Sequence, residues 1–509
     1  MGFLSKLVRH KSIEQLQADA GGSKDFRRVL GLWQLTAIGV GAIIGVGVFV
    51  LAGQQAAVNA GPAVILSFIV AGLGSACAAL AYAEFSGMIP VTGSAYTYGY
   101  AVLGELFAWI IGWDLLVEYA LIVGVVAIGW SGYVQALIDQ LFGVHLPVWA
   151  QGAYDPHHPG SGKVFNVIAA AISLLIAWML TVKTEWGARM NTLIVTIKVI
   201  GVALVIGVGA FYVNTANWHP FIPPLTTVDG ESHFGWGGVL AASSVVFFAV
   251  FGYDTLTTAA EEAKQPQRDL PRAVLLSLAV SMVLYLAVSL VLTGMVPYTQ
   301  LDSPAPVDAA FKALGLHWVR GIISVAAIAG ITSVMFAFML GAARIWFALA
   351  RDGLLPKWFA KIHPKYGTPA RPTMILGVFT ALVAGFLPIG EVAELVNIGT
   401  LSAFIVICAS VLILRVRQPH VKRDFRTPAL WLVAPAGMLF SLFLIIGWPW
   451  LRDGHLTLIG GLPMVTIIRF VVWMGIGLVI YFGYGMWHSR LAKPDSDDSP
   501  VAPKLADGS

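Results

Sequence analysis

Long blocks of apolar residues, separated by short polar segments, make up nearly the whole chain. The blocks run from about residue 34 to residue 487, and most of them hold roughly 17 or more residues dominated by apolar side chains. A helix of that length, rising 1.5 Å per residue, crosses a hydrocarbon core of about 30 Å. A transmembrane barrel would show short alternating segments instead. The pattern therefore predicts an all-α polytopic membrane protein whose partner is the lipid bilayer.

Twelve membrane-spanning helices are predicted from these blocks. Their ranges are 34–56, 62–86, 103–141, 164–182, 190–213, 236–262, 272–295, 319–350, 372–388, 393–416, 428–449 and 465–487. The third range is long enough to hold two spans, which would raise the number to thirteen. The distribution of charge decides between these two alternatives.

Charged residues make up only 11% of the chain, against about 25% in soluble proteins, and the basic ones are unevenly placed. With twelve spans and an internal amino terminus, the outer loops and outer helix ends hold only these basic residues: Lys163, Lys312, Arg320, Arg452 and Arg469. Most other lysines and arginines fall in the alternate loops, as is typical of cytoplasmic segments. The asymmetry predicts both termini in the cytoplasm, and splitting the third span would remove it. The net charge of +4 thus reflects orientation, and no nucleic-acid partner is expected.

The ends of the chain and the cysteines allow simpler predictions. Residues 1–30 lack the apolar core and cleavage site of a secretory signal, and residues 1–33 are expected to be a cytoplasmic segment. Residues 488–509 are expected to form a disordered cytoplasmic tail. Cys77 and Cys408 lie in apolar blocks, where buried inert thiols are expected in place of a disulfide or a metal site.

Four glycines interrupt the first apolar block, "AIGVGAIIGVGVF", which covers residues 37–49. Their spacing differs from the dinucleotide-binding fingerprint, which follows a strand and has two residues before its third glycine. Gly41 and Gly45 match a motif for close packing of membrane helices, and this interpretation stays open. A deliberately broken membrane helix is the other interpretation.

A second interruption favours the broken helix. In the sixth span, "VVFFAVFGYDTLTTAAEE", Gly252 and the ionisable Asp254 interrupt an apolar run. Gly45 and Gly252 both fall about 15–18 Å deep, near the midplane of the membrane. Breaks in spans one and six predict two repeats of five helices, 34–213 and 236–416. Because five is odd, the second repeat is inverted, and paired breaks of this kind indicate the substrate site of a transporter.

Broken helices offer backbone groups to a ligand. Unpaired N–H and C=O groups persist at membrane depth only where protein or a watery cavity satisfies them. The half-helix that begins near Gly45 presents free amides and a positive dipole end, which suit a carboxylate. Freed carbonyls of the preceding turn and of span six suit an ammonium group. The sequence therefore predicts a binding site for a zwitterion.

Several motifs resemble the amino acid–polyamine–organocation superfamily, and within it the bacterial relatives of the cationic amino acid transporters. They are "GVGAIIGVGVFVLAG" in span one, "AEFSGMIPVTGSAYTYGYAVLGELFAWIIGWDLLVEY" across spans two and three, "FFAVFGYDTLTTAAEEAKQPQRDLPRAV" after span six and "ARDGLLPKWFAKIHPKYGTPARP" between spans eight and nine. The resemblance covers roughly residues 30–490. It implies a five-plus-five inverted repeat, as in the bacterial leucine-transporter fold, with two extra helices at 428–487. It also implies L-amino acid transport across a bacterial inner membrane, driven by protons or run as exchange.

The resemblance also implies which residues bind the substrate. Backbone amides that should hold its carboxylate are those of Ile43, Ile44 and Gly45. Carbonyl groups that should accept its amino group lie around Val40, Gly41, Phe248 and Phe251. Phe248 stands where the family has an aromatic lid that closes over the ligand.

Lys198, in the fifth span, is the most informative charge at membrane depth. In the family this position faces the break in span one, where sodium-coupled relatives hold a cation. Desolvation disfavours the charged form of an amine, which allows a reversible proton carrier. We hypothesise that protonated Lys198 braces span one and that its deprotonation loosens the inward gate. The alternative is a permanently charged structural pair.

Buried acidic residues have a functional and a structural interpretation each. Asp254 either couples the span-six break to proton or substrate binding or caps the second half-helix. Glu118 lies one turn after Asp114, and the resemblance places it in the substrate side-chain pocket, with a hydrogen-bonded packing acid as the alternative. Asp114 is expected to be structural.

Acidic residues near the inner surface are expected to form a cytoplasmic gate with basic ones. The acids are Glu84, Glu261 and Glu262. Their expected partners are Arg189, Lys264 and Arg268.

Substrate selectivity depends on span eight, which contains "SVMFAFML" with Met335, Phe336, Phe338 and Met339. If a bulky member of this set fills the pocket floor, small neutral amino acids fit better than long cationic ones. Broad selectivity for small neutral substrates is the leading expectation, with cationic amino acids second.

Other classes of protein are disfavoured. Histidines lie in loops or near helix ends, and neither an HExxH motif nor a Gly-x-Ser-x-Gly motif is present, so an enzyme is not expected. No cofactor is expected beyond protons as coupling ion. An exchanger or facilitator for cationic amino acids, or a nutrient sensor on the transporter fold, remain alternatives. A small membrane subunit stays open as a partner.

Overall fold

The computed structural model describes residue 9 and residues 30–89, 94–155, 159–182, 185–228, 231–366, 368–452 and 455–490. Most of the expected cytoplasmic segment 1–33, and the expected tail beyond residue 490, lie outside these ranges. The described chain is mostly helical.

Sixteen α-helices and two short hairpins can be followed along the described residues. The helices are α1 (Leu32–Ile43), α2 (Ala52–Gln55), α3 (Val64–Met88), α4 (Ser94–Val102), α5 (Glu105–Phe142), α6 (Val167–Val182), α7 (Glu185–Ala210), α8 (Gly235–Val246), α9 (Pro266–Met295), α10 (Pro306–Ala313), α11 (His317–Arg351), α12 (Ala370–Phe386), α13 (Ile389–Arg417), α14 (Leu430–Ile446), α15 (Met464–Ile480) and α16 (Met486–His488). The antiparallel hairpins pair β1 (Thr226–Val228) with β2 (Glu231–His233) and β3 (Trp448–Arg452) with β4 (His455–Ile459).

Shorter 3-10 and π turns join or extend these helices. The π turns are Gly47–Leu51, Ala56–Ala60 and Tyr481–Gly485, and the 3-10 turns include Phe247–Val250 and Tyr253–Glu262. Two of the connected runs therefore change their helical geometry near their centres, one in the first predicted span and one in the sixth.

The apolar helices are long enough for a membrane. By length and composition, seven helical runs among the described residues could cross one: Gly47–Met88, Glu105–Phe142, Gly235–Thr257, Pro266–Met295, His317–Arg351, Ile389–Arg417 and Met464–His488. Five shorter apolar helices accompany them: Leu32–Ile43, Val167–Val182, Ile194–Ala210, Ala370–Phe386 and Leu430–Ile446. The prediction of a polytopic helical membrane protein is confirmed, and α5 is one continuous helix of 38 residues where two spans were an alternative.

The broken runs lie in the middle of the bundle. Helix α1 packs against α9 and α7, while α8 packs against α3, and the long helices α5 and α11 pack against each other beside them. Side chains on both sides of the two breaks are buried, among them Val40, Ile44, Val46, Phe247 and Val250. Because the surrounding helices shield the breaks, unpaired backbone groups there are protected from lipid.

One end of the bundle is tied together by buried ion pairs. The carboxylate of Glu84, at the end of α3, binds Arg415 at 2.6 Å and Arg423 at 3.1 Å. The backbone amide of Thr427 donates to the same carboxylate at 2.8 Å. The expected partners of Glu84, in the loops after spans four and six, are therefore wrong. The reason is that the end of α13 and the loop after it lie against α3, which brings basic residues from the other half of the chain.

A second buried carboxylate at the same end connects both ends of the chain. Glu105 accepts hydrogen bonds from the hydroxyls of Tyr100 at 3.1 Å, Tyr481 at 3.2 Å and Ser489 at 2.5 Å. The guanidinium of Arg9 lies 3.8 Å from it. We call the end that holds Glu84 and Glu105 the basic end, because the paired arginines lie there.

Candidate functional site

The first helix break follows Ile43. Helix α1 ends there, Ile44 adopts an extended conformation with φ −72° and ψ 110°, and helical turns resume at Gly47. The amide of Ile44 still donates to the carbonyl of Val40 at 3.0 Å. Residues 44–46 thus separate two half-helices, as the glycine pattern predicts.

The second break follows Val250. Phe251 is extended, with ψ 163°, and Gly252 has φ +126°, a conformation that residues other than glycine rarely adopt. A Cβ atom at Gly252 would lie 3.0 Å from the carbonyl oxygen of Ala42 and 3.2 Å from the amide nitrogen of Ile43. The backbone of the second break therefore packs directly on the backbone of the first.

A tyrosine links the two breaks. The hydroxyl of Tyr285, in α9, lies 2.7 Å from the carbonyl oxygen of Ile43 and 2.8 Å from that of Ala249. Since the hydroxyl has one proton, it donates to one of the two carbonyls at a time. Both carbonyl oxygens lie within hydrogen-bond distance of it. Tyr285 is fully buried, so its hydroxyl provides a hydrogen bond to backbone carbonyls at a depth where no water is available.

Lys198 reaches the first break from α7. Its ammonium donates to the carbonyl of Gly41, to the carbonyl of Ile44 at 2.8 Å and to the hydroxyl of Ser333 at 3.1 Å. The side chain is fully buried, and Gly330 makes room for it, because a Cβ there would lie 2.7 Å from the Cβ of Lys198. The ammonium group thus occupies a small cage of oxygen atoms beside the break, which is the position that the resemblance implies.

A narrow central cavity with a volume of about 10 Å³, room for about one water molecule, lies between the breaks and the helices α5 and α11. It is lined by Ala42, Ile43, Gly45, Val46, Gly47, Ile122, Val126, Phe248, Phe251, Val334 and Phe338. Four of the predicted binding residues therefore lie on it: Ile43, Gly45, Phe248 and Phe251. The backbone at residues 45–47, where the second half-helix begins, faces a cavity whose side chains are all apolar.

Three other predicted residues of the first span lie behind the cavity wall. The carbonyl of Val40 accepts the amide of Ile44, and the carbonyl of Gly41 accepts the ammonium of Lys198. The carbonyl of Val40 thus belongs to the last turn of α1, whereas the carbonyls of Gly41 and Ile44 are held by Lys198 from the side of α7. Their predicted contacts with a substrate stay predictions.

The two predicted acidic residues also lie outside the cavity lining. Glu118 is buried and accepts a hydrogen bond from the hydroxyl of Thr400 at 2.7 Å. Asp254 is buried and accepts one from the hydroxyl of Tyr119. The expectation that Glu118 lines the substrate pocket is not met in this structure, because Ile122, one turn further along α5, takes that place.

The structure shows which bulky residue of α11 faces the cavity. Phe338 faces the cavity and packs edge-on against Tyr119, with ring centroids 5.1 Å apart. Met335 and Met339 are fully buried elsewhere in the core. A bulky aromatic ring therefore limits the length of a side chain that the cavity can hold.

Sequence reasoning missed the aliphatic residues that α5 and α11 contribute to the lining, which are Ile122, Val126 and Val334. Ile122 and Val126 follow Glu118 at intervals of four, on one face of α5, and Val334 precedes Phe338 by four on α11. Helical spacing from a suspected pocket residue is the signal that could have found them.

Comparisons with known proteins show which family the chain resembles over most of its length. A family model described as amino acid permease matches residues 30–479. The "Branched-chain amino acid permease BcaP" of Bacillus subtilis is 44% identical over 95% of this chain and 99% of its own length. The "Methylthioribose transporter" of the same organism is also 44% identical, over 96% of this chain and 100% of its own.

A plant relative is named as a cationic amino acid transporter. The "Cationic amino acid transporter 4, vacuolar" of Arabidopsis thaliana is 34% identical over 82% of this chain and 68% of its own length. These relatives are named as permeases or transporters, which are not enzymes. The resemblance inferred from the sequence motifs is confirmed, and the chain belongs to the amino acid permease family of the amino acid–polyamine–organocation superfamily.

Proposed function

We propose that this protein takes up neutral L-amino acids, from alanine to the branched-chain ones, by proton-coupled alternating access. The proposal includes a bacterial inner-membrane location, twelve spans with both termini in the cytoplasm, and inverted repeats at 34–213 and 236–416. Helices 428–487 lie outside the repeats in this arrangement.

The position of Lys198 is the observation that carries the coupling mechanism. While the amine is protonated, its N–H groups satisfy the carbonyls of Gly41 and Ile44 and hold α1 against α7. Loss of the proton turns a charged donor into a neutral amine, which has one donor fewer and accepts hydrogen bonds itself. Charge-assisted hydrogen bonds are roughly twice as strong as neutral ones, so deprotonation weakens the support of the first half-helix. That half-helix is then free to move and open the cytoplasmic side.

The cavity supports a neutral substrate. Amides at residues 45–47 suit the carboxylate of an amino acid, and the carbonyls released at the sixth-span break suit its ammonium group. The side chains that line the cavity are apolar, and Phe338 closes one wall. A long cationic side chain would meet no carboxylate among these lining residues and would lose its hydration.

The names of the relatives suggest the substrates to compare. One relative at 44% identity is named for branched-chain amino acids and another at the same identity for methylthioribose. Methylthioribose has neither a carboxylate nor an ammonium group, so it would leave both helix breaks without a charged partner. The geometry of the breaks therefore favours an amino acid.

Uptake into proteoliposomes tests the proposal. Radiolabelled leucine, alanine, arginine and methylthioribose would be supplied with and without an inward proton gradient, to the wild type, Lys198→Ala and a matched Lys198→Arg variant. We expect gradient-driven accumulation of leucine and alanine by the wild type, little uptake of arginine or methylthioribose, and loss of the gradient effect in Lys198→Ala. Lys198→Arg is expected to lose it also, because its guanidinium stays charged.

Two results would overturn parts of the proposal. Full gradient-driven uptake by Lys198→Ala would remove the lysine from the coupling mechanism. Uptake of arginine or methylthioribose in preference to leucine would show that the apolar lining does not set the selectivity.

A further inference from the structure

A second cavity lies at the end of the molecule opposite the basic end. It is formed by the end of α5 with the loop that follows it, and by the segment containing α10 and the start of α11. Asp139 on its wall is 34 residues along α5 from Glu105, or about 50 Å at 1.5 Å per residue. This outer cavity has a volume of about 290 Å³ and opens to solvent, against about 10 Å³ for the central cavity.

One acidic residue of the outer cavity is fully engaged. Asp308, in α10, is buried and accepts hydrogen bonds from the Nε of Arg320 at 2.6 Å and from the hydroxyl of Ser324 at 3.1 Å. This pair connects α10 to α11 and forms the closed wall of the cavity.

The other acidic residue is held loosely. The carboxylate of Asp139 lies 3.4 Å from the Nε2 of His145, 3.7 Å from a guanidinium nitrogen of Arg320 and 3.8 Å from the ammonium of Lys312. The side chains of His145 and Lys312 are 70% and 59% exposed, and that of Asp139 is 27% exposed. The carboxylate of Asp139 and the exposed basic groups of His145 and Lys312 thus face the same open space. The distances between them are longer than those of good hydrogen bonds.

We propose that the outer cavity is a second binding site for the zwitterion of a small α-amino acid. Its carboxylate would lie between Lys312 and His145, and its ammonium group would lie beside Asp139. Charges of both signs a few ångströms apart match the two charges of a zwitterion. Asp139 and Asp308 balance the charges of Lys312 and Arg320, so a pair of opposite charges fits this cluster better than the single charge of a simple anion. This inference rests on the proposed function, since it assigns the same substrate class to a second site.

The location of the site gives it a consequence for transport. Asp308 and Lys312 place one side of α10 on the outer cavity, whereas Pro306 contacts the outer half of the first span. A Cβ at Gly53 would lie 2.3 Å from the Cβ of Pro306, and Gln54 donates to the carbonyl of Ser303 at 3.2 Å. A bound amino acid therefore touches the segment that covers the outer end of the broken first helix.

Equilibrium dialysis of the full-length protein in nanodiscs, with radiolabelled L-leucine as the probe, tests the proposal. Val334→Trp fills the central cavity, so any leucine that it still binds occupies another site. We expect this variant to retain weak binding. On that background, Asp139→Asn or Lys312→Gln should weaken it at least tenfold, and Lys163→Gln, a lysine outside the outer cavity, should not.

Competition separates a zwitterion site from a simple anion site. Alanine should displace the leucine bound to Val334→Trp, whereas acetate, which has the carboxylate alone, should need at least tenfold higher concentration. Equal displacement by acetate would overturn the assignment to a zwitterion.

Transport kinetics of the otherwise unchanged protein give a second measurement that does not need Val334→Trp to fold. Asp139→Asn and Lys312→Gln should each raise the KM for leucine about threefold or more without changing the maximal rate, and Lys163→Gln should leave both constants unchanged. If the wild type binds one leucine and all three variants have wild-type KM, the outer site is refuted while the proposed function stands. If the wild type neither binds nor transports any amino acid, both fail.

Discussion

The break in the first span is supported by a charged side chain, whereas the break in the sixth is supported by neutral groups and by close backbone contact. Lys198 donates to two carbonyls at the first break. At the sixth, the hydroxyl of Ser75 donates to the carbonyl of Val250 at 3.2 Å and that of Thr255 to Gly252 at 2.6 Å. In the proposed mechanism a proton alters the first kind of support, whereas the hydroxyl groups of serine and threonine do not titrate near neutral pH.

This difference indicates separate roles for the breaks in the first and sixth spans. In the proposed mechanism, the first break is the one whose support changes when Lys198 gains or loses a proton. The sixth break is a steric partner that fixes the other wall of the cavity. Four predictions test this division.

The largest effect is expected where the charged support is removed. Lys198→Met keeps most of the side-chain volume but leaves the carbonyls of Gly41 and Ile44 without their donor. We expect gradient-driven uptake to fall at least a hundredfold. Unsatisfied buried carbonyls should also lower the free energy of unfolding by about 2–4 kcal/mol. Uptake assays and thermal unfolding measure the two effects. Ser333→Ala removes one oxygen partner of the same ammonium and should lower uptake less than tenfold. If it lowers uptake as much as Lys198→Met, the surrounding oxygen atoms matter more than the charge of the lysine.

Backbone contact at the sixth break is tested by adding one methyl group. Gly252→Ala forces a left-handed conformation on alanine and places its Cβ 3.0–3.2 Å from the backbone of Ala42 and Ile43. Strain of this kind costs about 1–3 kcal/mol, so we expect a lower unfolding temperature and about tenfold slower uptake. Gly45→Ala is the matched control for stability, since the atoms nearest to its Cβ belong to the side chain of Val334, at 3.1 Å. A Gly45→Ala variant as unstable as Gly252→Ala would contradict the steric role assigned to the sixth break.

The link between the breaks is expected to contribute less. Tyr285→Phe removes the hydroxyl that lies between the carbonyls of Ile43 and Ala249. One lost hydrogen bond costs about 0.5–1.5 kcal/mol, which should appear as a modest fall in unfolding temperature and a few-fold rise in the KM for leucine. Dependence on the proton gradient should persist, and its loss would show that the neutral link also takes part in coupling.

The smallest effect is expected at the cavity wall. Phe338→Leu shortens the side chain that faces the cavity beside Phe251, where the ring centroids are now 6.4 Å apart. We expect uptake of phenylalanine relative to alanine to rise about threefold, with wild-type dependence on the proton gradient. Competition between the two radiolabelled substrates measures the ratio. A ratio that does not change would show that another residue sets the size limit.

Much of the fold and part of the site follow from local sequence. The positions of the helix breaks come from glycines in apolar runs, and the importance of Lys198 comes from the cost of a charge at membrane depth. The aliphatic lining of the cavity was not predicted, because Ile122, Val126 and Val334 resemble any other residue of an apolar helix. Their role depends on which face of α5 and α11 turns inward.

Long-range pairing was the least predictable feature. Glu84 pairs with arginines more than 300 positions later in the chain, and the residues nearest to it in the membrane topology were the wrong candidates. Glu118 shares one face of α5 with the cavity residue Ile122, yet its carboxylate turns to Thr400 of α13. Hydrogen-bond partners of this kind are chosen by helix packing, which sequence spacing within one helix does not encode.

The sequence by itself determined the polytopic helical class, the family, the two interruptions and the buried lysine, since each is set by local hydrophobicity, charge or glycine. Only the tertiary structure decided which oxygen atoms surround the ammonium of Lys198, that Phe338 and not a methionine faces the cavity, and that the acidic residues lie outside its lining. The physical reason is that apolar helices pack by shape. Burial favours all of their apolar faces alike, and the fit between neighbouring helices selects which face lines the site.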